Sequence, residues 1–537
     1  MENNNKLSSG KAWALFIIAM VVVFGLGLLT SALMERRAEV ASIFNNRKAP
    51  FIGETIHAQN EDFRTDFPRE YDTWRQTLET NFDSKPLDVN NPNKEGVVPQ
   101  MYHNGNEATD VLAYRPNMVV LWAGYAFSWD YTTPRGHMHT VEDMTRTLRT
   151  GAPDTETTGS NQPGTCWTCK SPDVPRIMSE KGVAEYYKAN WAMWGNEITN
   201  PLGCSDCHDP ESMDLRISRP ALIEAYQRQG RDITKATQQE MRSLVCGQCH
   251  VEYYFKNDPN TPEHDQYLTF PWDKGFTVED AEAYFDETGY YDYIHALSKA
   301  PILKAQHPGF ETNKQGIHGQ RGVSCADCHM PYTNAGGVKF SDHHIVSPLA
   351  NMERTCLTCH RESKEDLLKN VFERQHKVEE MRTRAEAELV KAHIEAKYAW
   401  DNGATEDQMR TALQFIRKGQ WRWDYAVASH GSFFHAPQEI TRILGRSVDY
   451  ALQARLEIRK TLSKLGHNEE VPMPDLSTKE KAQAYIGLDM AGKRAAKAKF
   501  LEEIVPKWQQ DAKSKGKVTD DAYMPTYKDD IKELSMN

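Results

Sequence analysis

CWTCK, residues 166–170, decides how the chain is read. Two cysteines three apart, followed at once by a ligating residue, form the attachment pattern of c-type haem: both thiols bond to the porphyrin and the next residue, ordinarily histidine, holds the iron. In this stretch that residue is Lys170. The ordinary form then recurs four times, as CSDCH (Cys204, Cys207, His208), CGQCH (Cys246, Cys249, His250), CADCH (Cys325, Cys328, His329) and CLTCH (Cys356, Cys359, His360). Five covalent haems are expected, one of them set apart.

Two other uses of paired cysteines fit less well. Ribbon-type zinc sites place their CxxC pairs roughly 15 to 20 residues apart, and every gap here is longer. A disulfide scaffold accounts for the even count of 10 cysteines but not for the histidines that follow four of the pairs. The lysine pair by itself is open to a decayed site, or to an iron ligated from elsewhere. An ordinary lysine has a pKa of about 10.4 and must shed a proton before its nitrogen can bind a metal. A chain that only conducts electrons has no evident use for such a ligand, whereas an iron kept open for substrate does.

Composition agrees with a body filled by porphyrin. Of 537 residues 39% are hydrophobic, and exchanging 22 Tyr for 32 Gly to match the usual definition gives only about 41%, against a typical 45 to 50%. The net charge of −11 offers no basic footprint for nucleic acid. It also repels a small anion, so an anionic substrate needs a local positive pocket.

Outward from the cysteines, the N-terminus carries no charged residue from Ala12 to Met34, with Lys6 and Lys11 before the run and Glu35, Arg36 and Arg37 after it. The run is an export signal, with a small-residue site after Ala32, or a retained anchor; either puts the body outside the cytosol. NNPNKEG at 90–96 reads as a turn. MVVLWAGYAFSW, Met118 to Trp129, is too short to span a bilayer and reads as buried wall. His137 and His139 lie just upstream of the special haem, and Arg149 ends a helical pattern stopped by Gly151 and Pro153. GSNQPGT then leads into CWTCK as a loop able to pass close to porphyrin. CGQCHVEYYF ties Glu252, Tyr253 and Tyr254 to a haem, and LKAQHP supplies Lys304, Gln306 and His307. A carboxylate, an amide oxygen and backbone carbonyls suit calcium, though a hydrogen-bonded loop has the same composition. His318, His343, His344 and His430 complete the candidate axial ligands.

Past His360 the pattern changes. Leu367, Val371, Val378, Met381, Ala385, Leu389, Ala392, Ala396 and Ala399 recur at helical steps with no Gly or Pro between Arg361 and Asp401, which predicts one very long amphipathic helix. Gly403 breaks it, a second helix is predicted from Thr405 to His430, and further helices follow, including the Lys-rich 478–514 stretch. The apolar stripe packs either on the body or on a second copy, which invites a homodimer. The expected architecture is mainly α with little β: residues 1–40 a signal or anchor, 41–360 a five-haem body, and 361–537 a long-helix region packing on it.

One CxxCK before four CxxCH, with LRTGAP ahead of the first and HVEYYF after the third, resembles the pentahaem cytochrome c nitrite reductases that form ammonia. LKAQHP, GIHG, SDHHI and WRWDYAVASHG extend the likeness over about residues 115 to 500. The resemblance implies an active haem on Cys166 and Cys169 with Lys170 beneath it, and Arg149, Tyr253 and His307 above. It implies calcium bound by Glu252, the Tyr253 and Lys304 carbonyls and the Gln306 side chain. It implies His343, His137, His430 and His318 as second ligands of haems 2 to 5, leaving His139, His344 and His435 without a role. The implied reaction is six-electron reduction of nitrite to ammonium in the periplasm, fed by a membrane quinol-oxidising or soluble cytochrome. A pure electron carrier, or a reductase of hydroxylamine or sulfite on the same scaffold, are the alternatives.

Overall fold

The computed structural model describes residues 9–45, 56–78, 108–153, 162–257 and 265–536. Helix makes up 61% and strand 5%, so the mainly α expectation holds. Among the described residues the strands form three two-stranded antiparallel hairpins. The turn expected at 90–96 and the start of GSNQPGT lie outside the described residues.

Helix α1 spans Ser9–Asn45 and contains Trp13–Ala32, 20 residues of mean hydropathy 2.5 with no side chain buried against the protein. At 1.5 Å per residue that run is about 30 Å long, the thickness of a bilayer core.

The body between 110 and 360 is built of short helices and 3-10 turns, among them α2, Gln238–Gly247, which ends inside CGQCH. Long helices follow. Helix α3, Lys364–Asp401, starts where the Ser363 hydroxyl accepts the Asp366 N–H at 3.1 Å and stops before Gly403, whose φ of 87° suits glycine. Helix α4, Glu406–Ala428, opens on a Thr405/Gln408 capping box, and α5 runs Pro437–Lys464. The predicted stripe is buried as drawn from Val371 to Ala399, except that Leu368 takes the inward place assigned to Leu367 and Met381 is half-buried.

That stripe is covered by this chain itself. Met118 to Ala123 are all fully buried and share one core with Leu389, Ile394, Trp421, Trp423, Ile440 and Leu444, so the core crosses residue 360 without a break. Polar ties at the same seam are buried. Lys304 Nζ meets Asp424 Oδ1 at 2.8 Å, and Asp424 Oδ2 accepts the Trp122 indole N–H at 3.1 Å. Removing one member of such a buried pair costs about 3 to 5 kcal/mol. A later helix, α6, Met490–Glu503, folds back onto the turn that carries Arg149.

Candidate functional site

Each attachment sequence sits on a tight turn. Cys204–Cys207 and Cys325–His329 are short helices, while Gly164–Trp167 and Cys356–Thr358 are 3-10 turns. A three-residue step along one turn puts both sulfurs on one face, as a porphyrin edge requires. None of the ten cysteines is joined to another in a disulfide.

The histidines test the fit of haem directly. An iron between two imidazole nitrogens at about 2.0 Å each, with each ring centre roughly 1.2 Å behind its nitrogen, sets the ring centres about 6.4 Å apart. His208 and His343 stand at 6.2 Å, His318 and His360 at 6.2 Å, and His329 and His435 at 6.4 Å. The Nδ1 atoms of His208, His343 and His329 lie 2.7, 2.8 and 3.2 Å from the Met213, Ser341 and Val346 carbonyls. A carbonyl only accepts, so Nδ1 holds the proton and Nε2 keeps the lone pair a metal needs. Burial lowers the pKa of His208, His343, His329, His318 and His435 and so favours the neutral ring.

Two of the expected partners, His343 and His318, therefore stand opposite His208 and His360. His430 does not stand opposite His329. It lies against His307, ring centres 4.9 Å apart, and its Nε2 is 3.5 Å from the Tyr131 hydroxyl. The rings of His430 and His435 are separated by the turn at Gly431, whose φ of 72° reverses the chain, and the short helix Ser432–His435 carries the second ring to His329. His137 approaches His250: burial lowers His250 to about 3, and among its charged neighbours His137 acts most strongly.

The sulfurs also give an order to the haems. Cys169 and Cys249 lie close enough to act on each other, as do Cys246 and Cys325; Cys328 feels the charge of Cys356 and Cys359, and Cys246 that of Cys207. The Lys170 site thus adjoins the third attachment site, which adjoins the fourth and then the fifth, with the second branching beside the third.

Lys170 and Arg149 both act on the Cys166 thiol, and Lys170 also acts on His307. Arg149 acts on the Cys166 thiol, donates from Nη1 to the Asp130 carbonyl at 3.3 Å, and lies 4.4 Å from the Phe127 ring centre. Burial, with smaller contributions from Cys169 and Cys166, raises the Tyr253 hydroxyl well above its usual range, so it keeps its proton. Burial, then His250, His430 and Lys170, push His307 well down, and its Nε2 is 3.0 Å from His250 Nδ1.

Next to it lie the expected calcium residues. Glu252 Oε2 accepts the Gln306 N–H at 2.8 Å, and the Gln306 amide donates to the Lys304 carbonyl at 3.1 Å. Among the described residues no three acidic, histidine or cysteine side chains form a metal cage, so a cation here relies on carbonyl and amide oxygens. The electrostatics suit one. Burial drives Glu252 well above the usual carboxylate range, Glu311 to about 7 and Asp292 to about 6. The second carboxylate oxygen of Glu311 is buried without a partner. A divalent charge would relieve that crowding.

Comparison with known proteins places this geometry. Residues 59–517 match the cytochrome c552 family. The chain belongs to that family. It is 64% identical over 513 residues to cytochrome c-552 of Bacteroides thetaiotaomicron, covering 96% of this chain and 99% of that one. It is 43% identical over 505 residues to cytochrome c-552 of Aliarcobacter butzleri, covering 94% and 96%. A solved cytochrome c nitrite reductase catalytic subunit from Desulfovibrio desulfuricans, described for the relevance of its two calcium sites, superimposes with a TM-score of 0.66 at 29% identity, over 85% of this chain and 95% of that one. As a cytochrome c552 the chain carries haem c, and the ring and sulfur geometry is what that cofactor requires.

Reading the sequence left His435 without a role and passed over Asp130 and Lys497. The first had a signal, since FFHAP places a histidine at a helix end beside proline. The other two act through partners 17 to 347 residues away and leave no local pattern.

Proposed function

We propose that this cytochrome c552 reduces nitrite to ammonium at the Lys170 site. The reading is carried by one observation: Arg149, Tyr253 and His307 gather at the attachment sequence that lacks histidine. Haem c on Cys166 and Cys169, when bound with Lys170 beneath it, supplies the iron that takes the anion and the electrons. The residues of the chain do the rest. Arg149 offers charge-assisted hydrogen bonds to the oxygens of the anion and offsets the repulsion of a protein of net charge −11. His307, neutral in its buried place, shares a proton with His250 Nδ1 and can hand one toward the breaking N–O bonds. The Tyr253 hydroxyl holds a second proton. Glu252, the Tyr253 and Lys304 carbonyls and Gln306 would hold calcium and fix the Tyr253 and His307 loops.

The other four attachment sites serve as the wire, with His343, His137, His435 and His318 as second ligands; His435 replaces His430 on the ring distances. The apolar α1 is consistent with a periplasmic body, exported or tethered, receiving electrons from a membrane quinol-oxidising or soluble cytochrome, and the long helices with a homodimer. The test is steady-state turnover of nitrite, hydroxylamine and sulfite with a dye donor, with ammonium measured as product. Nitrite is expected to give ammonium at the highest kcat/KM. Haem spectra that are wholly low-spin, with no response to added nitrite, would overturn the proposal in favour of an electron carrier.

A further inference from the structure

Lys497, on α6, is 1% exposed and lies in the part of the chain farthest in sequence from the haem sites. Its ammonium group donates to the Thr150 hydroxyl at 3.0 Å and to the Gly151 carbonyl at 2.8 Å. These two residues directly follow Arg149. The preceding two are held from the other side: the Asp130 carboxylate accepts the Thr147 hydroxyl at 2.8 Å and the Leu148 N–H at 3.0 Å. Residues 147 to 151 are therefore clamped at both ends, with Arg149 in the middle.

The Gly151 carbonyl points to Lys497 because Gly151 adopts a φ of 77°, which a side chain would resist. Lys497 also reaches the other wall of the site. Its nitrogen lies 4.8 Å from the Phe500 ring centre and 5.8 Å from Trp191, and Trp191 stacks on Trp167 of CWTCK at 5.0 Å. A buried lysine with two polar partners is costly unless those bonds matter. Burial pushes its ammonium down to about 7 against the opposing charges of Asp130 and Asp530. Charged or neutral, the amine keeps at least two hydrogens, so both bonds persist across neutrality.

We propose that Lys497 is a positioning residue for Arg149: it fixes the Thr147–Gly151 turn from α6 and so presents the guanidinium to an anion at the Lys170 site. The proposal rests on the nitrite reading for the identity of the anion. It is tested on fully haem-loaded protein with Lys497→Met, which keeps the stem and removes the donors, and Lys497→Arg, which keeps charge and donors. Lys497→Met is expected to weaken nitrite binding, read from the spectral change on titration, by about tenfold, the scale of losing hydrogen bonds from a charged donor. Lys497→Arg should recover most of that loss. In an Arg149→Ala background Lys497→Met should cost almost nothing more, because residues acting through one group are not additive. An equal further loss in that background, or wild-type affinity in Lys497→Met alone, overturns the proposal. Amide exchange at Leu148 to Gly151 should rise in Lys497→Met. That readout needs no turnover, so it is decided whether or not the protein reduces nitrite, and unchanged exchange also overturns the proposal.

Discussion

The attachment sites and the seam between body and long-helix layer each bring histidines together in pairs, and the two kinds of pair are built differently. At the seam between body and helix layer, His295 of the body and His393 of α3 stack at 3.7 Å with neither ring exposed. Every nitrogen there has a partner within the protein: His295 bonds the Val120 carbonyl and the Leu297 and Ser298 N–H groups, and His393 the Ser298 hydroxyl and the Gln420 oxygen. At the attachment sites, His208–His343 and His329–His435 stand 6.2 and 6.4 Å apart, with the Nδ1 atoms of His208, His343 and His329 spoken for by carbonyls. A histidine that completes a protein network uses both nitrogens on it, and one built for a metal has its tautomer set so that Nε2 is free to bind. The difference teaches which histidines are chemistry and which are core.

The comparison breaks first at the anion site. Arg149→Ala and His307→Ala should each lower nitrite turnover about 100-fold or more, as removal of charge stabilisers and proton donors does elsewhere, while the haem content stays that of the parent protein. Steady-state rates with a dye donor check this, and near wild-type rates in both would remove these residues from the chemistry. A second test separates His435 from His430. Loss of a true axial ligand should turn one haem high-spin and cut electron delivery roughly 10- to 100-fold, using the loss of metal-site support as a lower guide. His435→Ala should do this and His430→Ala should not; electron paramagnetic resonance of the oxidised protein tells them apart, and the reverse result would restore His430. A smaller effect is expected at the carboxyl cluster. Chelating calcium should lower turnover about tenfold and returning it should restore the rate, because the cation would reinforce the 2.8 Å bond from the Gln306 N–H to Glu252 Oε2 that ties the Tyr253 and His307 loops together.

How far the sequence carried these assignments depends on whether the information was local. The attachment cysteines and their histidines are written in five-residue units, and the stripe from Val371 to Ala399 in helical steps, so both are read without knowing the fold. Axial partners lie tens to hundreds of residues from the iron they serve, so sequence alone leaves them among many histidines. His343 and His318 were reached through resemblance, and the same route put His430 where the chain instead brings His435. Five residues separate the two candidates, and the positive φ of Gly431 decides between them. Asp130 and Lys497 could not be found at all before the fold: each is an ordinary polar residue until Thr147 and Thr150 are beside it.

The last test acts on stability and should spare turnover. His393→Ala leaves the Gln420 oxygen and the Ser298 hydroxyl without their partner and opens a cavity against His295, which together should cost about 3 kcal/mol in unfolding by denaturant. Haem spectra and turnover per folded molecule should not change. Burial lowers His393 to about 4, and burial with its neighbour lowers His295 further. A depressed histidine pKa means that the unfolded chain binds the proton more readily, so stability is fully present above about pH 6.5 and falls as pH drops toward 4. Each such histidine steepens that fall by about 1.4 kcal/mol per pH unit. His393→Ala should therefore be less stable at pH 7 yet lose stability less steeply between pH 6.5 and 5 than the parent. An unchanged slope would mean that this pair does not fold as two neutral rings, and the contrast with the metal-facing histidines would then rest on geometry alone.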